Sequence, residues 1–377
     1  MSPSPTHTAI LLASILCTTT LASVTSVPLQ GISGLSSPSL SRRALPIAHT
    51  YEDNFFWFGN YSVGNADNLE LLIDTGSSDI FINPGEYVPS SNSKDLEENF
   101  TATFSTAKSD GTGFVSLDGK NFEDSVTLSG SNFTVTNQYI GIISTTTEGI
   151  PRAGLIGFAG ENSSFSGQPG WFENLCTNKA FDECRYGLAF NTNHTGVQYL
   201  GGVEDTAFTG DLVTTPIESQ WVTWGDVAVN GEITSRDTRM LTDMGTAVIW
   251  GPSDVVQDMY ERAGIEWDTI PPTDTFPGTI IQGSYPCSSP PTFGFGFPST
   301  QNITDAILDP GSTVSRKGSI FNVTPEALVA SEADGICKSI LKGVTNMNIW
   351  IVGQPFYQGR YIDHDFETNL MGWADLI

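Results

Sequence analysis

Two short segments of this sequence each place an Asp where it could take part in acid–base chemistry. The first reads Asp-Thr-Gly-Ser from Asp74, and the second reads Asp-Met-Gly-Thr from Asp243. Two carboxylates that face each other cannot both ionise, so they share a proton and their pKa values move apart. The ionised member can take a proton from a bound water, which attacks a peptide carbonyl, while the protonated member supports the developing oxyanion. This chemistry needs no metal and no cofactor, and it predicts Asp74 and Asp243 as a catalytic pair.

The residues that follow each Asp fit this role. A Gly two positions later lets the backbone turn tightly, and a hydroxyl three positions later can hydrogen-bond the carboxylate and fix its orientation. Downstream of each segment, two apolar residues and a Gly recur, at residues 155–157 and 351–353. A lone Asp-Thr-Gly is also an ordinary turn, but two such segments with two matching partners indicate two lobes that share one site. The predicted supporting residues are Thr75, Gly76, Ser77, Gly245 and Thr246.

Short strands must position these loops. From residue 51 onward, β-branched and aromatic runs alternate with Gly, Asn, Ser and Asp. Helical patterns are scarce. The clearest lies at residues 253–263, with Pro252 before it and Gly264 after it, and two more are predicted at 171–175 and 324–330. We therefore predict an all-β protein with a few short helices and with strands at residues 61–63, 69–73, 80–82, 125–128, 134–143 and 222–229.

Composition limits the partners of the chain. Its 377 residues are enough for two domains, and its 39% hydrophobic content is typical of a globular protein. Asp and Glu number 42 against 16 Lys and Arg, which gives a net charge of −26. Such a surface repels nucleic acids and anionic membranes, so neither is an expected partner. The shortage of bases also suits an acidic environment, although a well-solvated surface explains the same composition equally well.

The N-terminal region has the features of a targeting segment. An apolar run at residues 9–17 is too short to span a bilayer, and small residues follow it. Residues 1–26 are therefore predicted as the signal peptide of a secreted, extracellular protein. Residues 27–43 end in Arg42-Arg43 and are predicted as a short prosegment or linker. The N-terminal lobe is then expected at residues 44–212 and the C-terminal lobe at residues 213–377, with no membrane span or anchor tail.

Secretion would also explain the cysteines and the glycosylation motifs. Cys17 leaves with the signal peptide, and the four remaining cysteines allow three pairings in an oxidising compartment. The pairs Cys176–Cys184 and Cys287–Cys337 are favoured because each lies within one predicted lobe. Candidate N-glycosylation sites are Asn60, Asn99, Asn132, Asn162, Asn193, Asn302 and Asn322.

Together these motifs resemble the pepsin family of aspartic endopeptidases. Residues 74–78 are similar to the family's first active-site loop, residues 153–158 to the segment behind that loop, and residues 350–356 to part of its C-terminal signature. Cys287 and Cys337 stand where the family has a disulfide. The resemblance covers most of the chain after residue 51. It implies a bilobal fold of two β-barrel-like lobes and a monomeric protease with a peptide or protein substrate in the central cleft.

The sequence departs from the family at three positions near the site. Met244 replaces a Thr or Ser whose hydroxyl braces the opposite loop, and Phe81 replaces a Trp. The Tyr of the family's flap hairpin is missing, and Lys108 or Asp110, beside Gly111, holds its place. An active endopeptidase is favoured because both acids and both downstream hydroxyls are present. The alternative is a weak or inactive pepsin-fold protein that acts as a binding partner or inhibitor.

Overall fold

The computed structural model describes residues 25–31, 56–104, 115–147, 150–273, 276–298 and 318–377. Most of the predicted signal peptide and prosegment, including Arg42-Arg43, lies outside these residues. So do three predicted flap residues and one glycosylation motif, at Lys108, Asp110, Gly111 and Asn302.

The first half of the described chain is built almost entirely from strands. Along Val115–Leu128, buried residues alternate with more exposed ones, because a strand points successive side chains to opposite faces. One short helix, α1 (Trp171–Thr177), buries Trp171 and Phe172 against these strands. The strands are β1 (Thr25–Gly31), β2 (Trp57–Val63), β3 (Ala66–Asp74), β4 (Ile80–Ile82), β5 (Lys94–Phe104), β6 (Val115–Leu128), β7 (Thr134–Thr146), β8 (Gly154–Gly157), β9 (Arg185–Phe190) and β10 (Thr195–Leu200).

The second half repeats this construction around its own buried aromatic residues, such as Trp250 and Trp350. The α-helix among its described residues is α2 (Ser253–Ala263). The strands are β11 (Val213–Ser219), β12 (Val222–Val229), β13 (Glu232–Asp243), β14 (Ile249–Pro252), β15 (Glu266–Ile270), β16 (Ile280–Pro286), β17 (Phe293–Pro298), β18 (Gly318–Asn322), β19 (Val329–Ala333), β20 (Ile336–Val344), β21 (Trp350–Gly353), β22 (Arg360–Asp365) and β23 (Leu370–Asp375).

Two of the three predicted helices form. Helix α2 begins after Pro252 and ends at Gly264, whose φ of 68° is the left-handed conformation that commonly stops a helix. The helix predicted at residues 324–330 is wrong, because those residues form a single turn in which the Leu328 N–H donates to the Thr324 carbonyl at 3.1 Å. The chain then enters β19 at once. Pairing of β19 with β20 takes the backbone groups that a longer helix would need.

The sequence repeat corresponds to a repeated pair of parallel strands. Strand β3 pairs with β8, which sets Asp74 opposite Gly157, and β13 pairs with β21, which sets Asp243 opposite Gly353. The apolar residues before each Asp and before each Gly therefore pair in the same register. Each half of the chain thus delivers one Asp at the end of a buried strand.

One sheet joins the two halves. Strand β9 of the first half pairs with β22, β22 pairs with β23, and β23 pairs with β11. Arg185 on β9 reaches the buried Asp363 on β22, with Nη2 and Oδ2 at 2.5 Å. The predicted all-β, two-lobed fold is confirmed. The lobe boundary at residues 212 and 213, just before β11, stays a prediction.

Two disulfides close local segments of the structure. Cys176 in α1 is bonded to Cys184 just before β9, and Cys287 after β16 is bonded to Cys337 on β20. These are the pairs that the sequence favoured, and each lies within one half of the chain. Among the described helices, none combines the length and the apolar character that crossing a membrane requires.

His364 is an ionisable group inside the sheet that joins the halves. Its ring stacks on Tyr186 at a centroid distance of 4.4 Å, and the Trp221 ring meets it edge-on at 4.8 Å. Burial lowers the pKa of His364 to about 3. The folded protein therefore keeps this imidazole neutral at pH values where an exposed one would be charged.

This burial predicts a loss of stability in acid. The unfolded chain takes up the His364 proton near pH 6.5 and the folded chain only near pH 3, so the free energy of unfolding falls as pH drops through this window. The slope is about 1.4 kcal/mol per pH unit. In His364→Phe, which keeps a ring in place, urea unfolding followed between pH 7.5 and pH 3.5 should show a shallower decline. Equal slopes in the variant and the wild type would contradict the prediction, and the difference at pH 7.5 isolates the packing change.

Candidate active site

The two strand-end Asp residues meet in one cleft. Asp74 closes β3 and Asp243 closes β13, and their exposed fractions are only 5% and 8%. Both carboxylates line the same cavity between the halves. Leu72 and Leu155 line it from the first half and Leu241 and Ile351 from the second, so apolar side chains from both halves flank the two acids. This is the usual composition of a site that binds a ligand through shape and orients it through a few polar atoms.

Each carboxylate is held by the residues that follow it in the sequence. Asp74 Oδ1 accepts the Gly76 N–H at 2.8 Å, and its Oδ2 accepts the Ser77 hydroxyl. Asp243 Oδ1 accepts the Gly245 N–H at 2.8 Å, and its Oδ2 accepts the Thr246 hydroxyl at 2.5 Å. The two halves thus repeat the same set of hydrogen bonds. This set fixes the orientation of both carboxylates before any ligand binds.

The glycines in the two loops are required by close approach. A Cβ atom on Gly76 would lie 2.7 Å from the Asp243 carboxylate, and one on Gly245 would lie 2.3 Å from Asp74 Oδ1. Distances below 3 Å are not tolerated between such atoms, so any side chain here would push the two acids apart. Neither glycine has a positive φ. The sequence suggested that these glycines serve a tight turn. Their main role is instead to leave room for the carboxylate of the opposite loop.

Burial and mutual charge separate the pKa values of the pair. Burial and the negative charge of Asp74 raise the pKa of Asp243 to about 8. Burial also raises the pKa of Asp74, but hydrogen bonds from Ser77, from the Gly76 amide and from Asp243 act in the opposite direction. The pair therefore holds one proton over a wide pH range, with that proton mainly on Asp243 and the charge mainly on Asp74.

Thr75 links the two loops from one side only. Its Oγ1 accepts the Met244 N–H at 2.9 Å and donates to the Thr242 carbonyl at 3.3 Å. Met244, at the matching position, is fully buried in the apolar core and has no hydroxyl to return these bonds. The Tyr357 hydroxyl lies 3.3 Å from Thr75 Oγ1. It adds a polar contact behind the site.

Sequence reasoning missed Tyr357 and Phe104. Tyr357 comes directly after the segment 350–356 that carries the C-terminal resemblance, so an extension of that motif by one residue would have included it. Phe104 is the last residue of β5, where the strand enters the segment of the predicted flap, and it lines the cleft. The search for a flap Tyr beside a Gly-rich turn passed over this Phe because it lies several residues earlier.

The glycosylation motifs lie mostly on the surface. Among the described residues, Asn60 is half-buried within β2, whereas the other motif Asn residues are exposed. Asn193 Oδ1 accepts the Thr195 hydroxyl at 2.6 Å, which joins the first and third residues of that motif. Their modification stays a prediction. The exposed members are Asn99, Asn132, Asn162, Asn193 and Asn322.

The bridge made by Thr75 predicts the effect of removing one hydroxyl. Thr75→Val keeps the shape of the side chain but leaves the buried Met244 N–H without its acceptor, which costs about 1–3 kcal/mol. Urea unfolding should detect this loss. Thr75→Ser, which retains the hydroxyl, is the control and should stay within about 1 kcal/mol of the wild type. A Thr75→Val protein as stable as Thr75→Ser would show that the bridge contributes nothing.

Comparisons with known proteins point to one family. A sequence model described as eukaryotic aspartyl protease matches residues 56–376. The chain is 25% identical over 328 residues to Secreted aspartyl protease 1 of Malassezia globosa, covering 84% of this chain and 73% of that protein. It is also 25% identical over 342 residues to Pepsin A of Sus scrofa, covering 84% and 80%.

A solved structure shares the fold. The crystal structure of the aspartic proteinase from Irpex lacteus superposes with a TM-score of 0.67 and 17% identity, covering 94% of this chain and 98% of that one. An identity of 17% establishes only that the two proteins share a fold. The match to the family model is a match of sequence, and it spans nearly all of both halves of the chain. On that match, the chain belongs to the eukaryotic aspartyl protease family, as its two Asp-x-Gly segments predicted.

Proposed function

We propose that this protein is an active aspartic endopeptidase that hydrolyses peptide bonds with Asp74 and Asp243 as its catalytic pair. One observation carries the proposal: two buried carboxylates line one cleft, and each is held by an amide and a hydroxyl in the same way. A structural ion pair would place a cation beside such acids. Here each acid instead faces the glycine of the opposite loop, and the open side is the cleft.

The mechanism follows from the charge distribution of the pair. Ionised Asp74 takes a proton from a water bound between the carboxylates, and that water attacks the peptide carbonyl carbon. Protonated Asp243 donates a hydrogen bond to the carbonyl oxygen as negative charge develops there. Ser77 and Thr246 keep the carboxylates oriented through these steps. The reaction needs no metal and no cofactor.

Secretion and an acidic working environment belong to the same proposal. They are supported by the predicted signal peptide, by two disulfides, and by the similarity to a relative named Secreted aspartyl protease 1. The net charge of −26 fits a chain that must stay folded as its carboxylates protonate. The substrate is a peptide or protein in the cleft, and the chain acts as a monomer without nucleic acid or membrane partners.

The alternative is a weak or inactive pepsin-fold protein that binds a partner or inhibits a protease. Met244 favours it, because the second loop lacks the hydroxyl that would brace the first. Against it, both carboxylates keep their full set of hydrogen bonds, and a binding protein does not need them. We therefore place the active enzyme first.

Removal of one catalytic charge tests the choice between these two functions. Asp74→Asn cannot accept the proton of the attacking water, so digestion of denatured protein between pH 3 and 6 should fall at least about 1,000-fold. The wild-type activity should be blocked by pepstatin. Asp205→Asn, which changes an exposed Asp that does not line the cleft, is the matched control and should digest like the wild type. Equal digestion by Asp74→Asn, or none by the wild type, would reject the proposal.

The raised pKa of Asp243 predicts the alkaline limit of activity. The mechanism needs Asp243 protonated, so kcat/KM should fall about tenfold per pH unit once pH rises past about 8. Rates on a short peptide measured from pH 3 to 9.5 should show this decline, and circular dichroism at each pH should show that the protein is still folded. Activity that stays constant through pH 9.5 would contradict the assignment of the proton to Asp243.

A further inference from the structure

The hydroxyl of Thr75 is the point where the two active-site loops cross. Its oxygen belongs to the first half and meets three groups of the second half: the Met244 N–H at 2.9 Å, the Thr242 carbonyl at 3.3 Å and the Tyr357 hydroxyl at 3.3 Å. A hydroxyl has one hydrogen to donate and two lone pairs that accept. Because the hydrogen points to the Thr242 carbonyl and one lone pair accepts the Met244 amide, Tyr357 fills the remaining place as the donor.

The Tyr357 hydroxyl keeps its proton and so stays a donor. The side chain is fully buried, and burial raises the pKa of Tyr357 well above its usual range. The negative charge of the catalytic pair raises this pKa further. The hydrogen bond from Tyr357 to Thr75 therefore persists over the whole pH range of the proposed activity.

Tyr357 stands where the first half of the chain has an exposed acid. It lies four residues after Gly353, at the end of the single turn Gln354–Phe356 that follows β21. The residue four positions after Gly157, in the matching place behind β8, is Glu161, which is exposed. The internal repeat therefore breaks here, because one half turns a carboxylate to water and the other half buries a Tyr behind the catalytic pair.

This break coincides with the break in the loops themselves. Thr75 reaches from the first loop to the second, whereas Met244, its counterpart, is buried and carries no hydroxyl that could return the bond. Tyr357 also belongs to the second half, and its hydroxyl meets the same Thr75 oxygen. The second half therefore still supplies a side-chain hydrogen bond to the first loop, but from behind its own loop rather than from within it.

The position of the Tyr357 ring is fixed by its surroundings. The ring meets Phe190 of β9 edge-on, with centroids 5.8 Å apart, and the Tyr357 N–H donates to the Gln354 carbonyl at 2.9 Å. Both partners are buried, and Phe190 lies in the sheet that joins the halves. Tyr357 does not line the cleft, so its hydroxyl acts on catalysis only by fixing the loop that it contacts.

We propose that Tyr357 is a positioning residue of the active site, whose hydroxyl takes over the bracing role that Met244 cannot fill. Acting through Thr75, it holds the loop of Asp74 in place relative to the loop of Asp243. This inference rests on the proposed protease function and deepens it, because it explains how a loop without its own bracing hydroxyl can belong to an active enzyme.

Removal of the Tyr357 hydroxyl tests this role with a short peptide substrate. Tyr357→Phe should lower kcat about fivefold, the effect of one hydrogen bond, and should leave KM within about twofold because the side chain does not line the cleft. Rates are counted per active site titrated with pepstatin, so that unfolded protein does not contribute. Tyr260→Phe is the matched control and should keep the wild-type kcat, since it also removes a buried hydroxyl, which donates to the Leu341 carbonyl and does not line the cleft.

A hydroxyl at position 244 should rescue the loss. Met244→Thr gives the second loop the residue type that the first loop has at Thr75, so it can return the bracing bond. In the Tyr357→Phe background this change should recover most of the lost kcat, and the gain should exceed the gain in the wild-type background. A normal kcat in Tyr357→Phe, the same loss in Tyr260→Phe, or equal gains in both backgrounds overturns the proposal.

A stability cycle tests the bond without catalysis, and it also decides the case if Met244→Thr does not fold. Urea unfolding is compared for Thr75→Val, Tyr357→Phe and the double variant. Because the two hydroxyls bond each other, Tyr357→Phe should change the unfolding equilibrium constant at least about fivefold more in the wild type than in Thr75→Val. Effects that simply add overturn the brace. If the wild type cleaves no peptide, the protease function fails, and this cycle alone then tests whether Tyr357 braces the first loop.

Discussion

Two acids that repel each other when ionised must be kept in contact inside a buried cleft, and much of the structure is explained by this requirement. Burial raises the pKa of both acids, and the charge of Asp74 raises the pKa of Asp243 further, so the pair keeps a proton that isolated acids would lose. The protein offsets this cost locally, with an amide and a hydroxyl for each carboxylate. It also removes every atom that would separate them, which is why Gly76 and Gly245 face the opposite acid.

The wider fold supplies the rigidity that this contact needs. Each Asp ends a strand that pairs in parallel with a second strand ending in Gly, and the loop after the Asp folds back over that Gly. A Cβ on Gly157 would lie 2.4 Å from the Ser78 backbone, and one on Gly353 would lie 2.0 Å from the Val248 carbonyl. Gly76 and Gly245 therefore allow the contact between the two loops, and Gly157 and Gly353 allow each loop to pack within its own half. Thr75 and Tyr357 complete the connection across the interface.

Local features were predictable because their causes are local. The strand-to-Asp segments, helix α2 between Pro252 and Gly264, and the repeat of apolar residues before Gly are all visible in short windows of sequence. The helix at residues 324–330 was mispredicted because strand pairing with distant β20 decides that segment. Phe104 was missed because its place beside the cleft depends on where the end of β5 lies in the folded chain, and no sequence spacing reveals that position. The same holds for Tyr357, which reaches Thr75 across 282 positions.

The sheet that joins the halves also has a consequence for how the chain is made. Strand β9 needs β22 as its neighbour, and Arg185 needs Asp363, which is 178 residues later in the chain. During synthesis the first half therefore emerges with an unpaired edge at β9, long before β22 exists. Open strand edges of this kind associate readily with other chains. Until β22 is made, the open edge of β9 is therefore a place where the first half could join another chain.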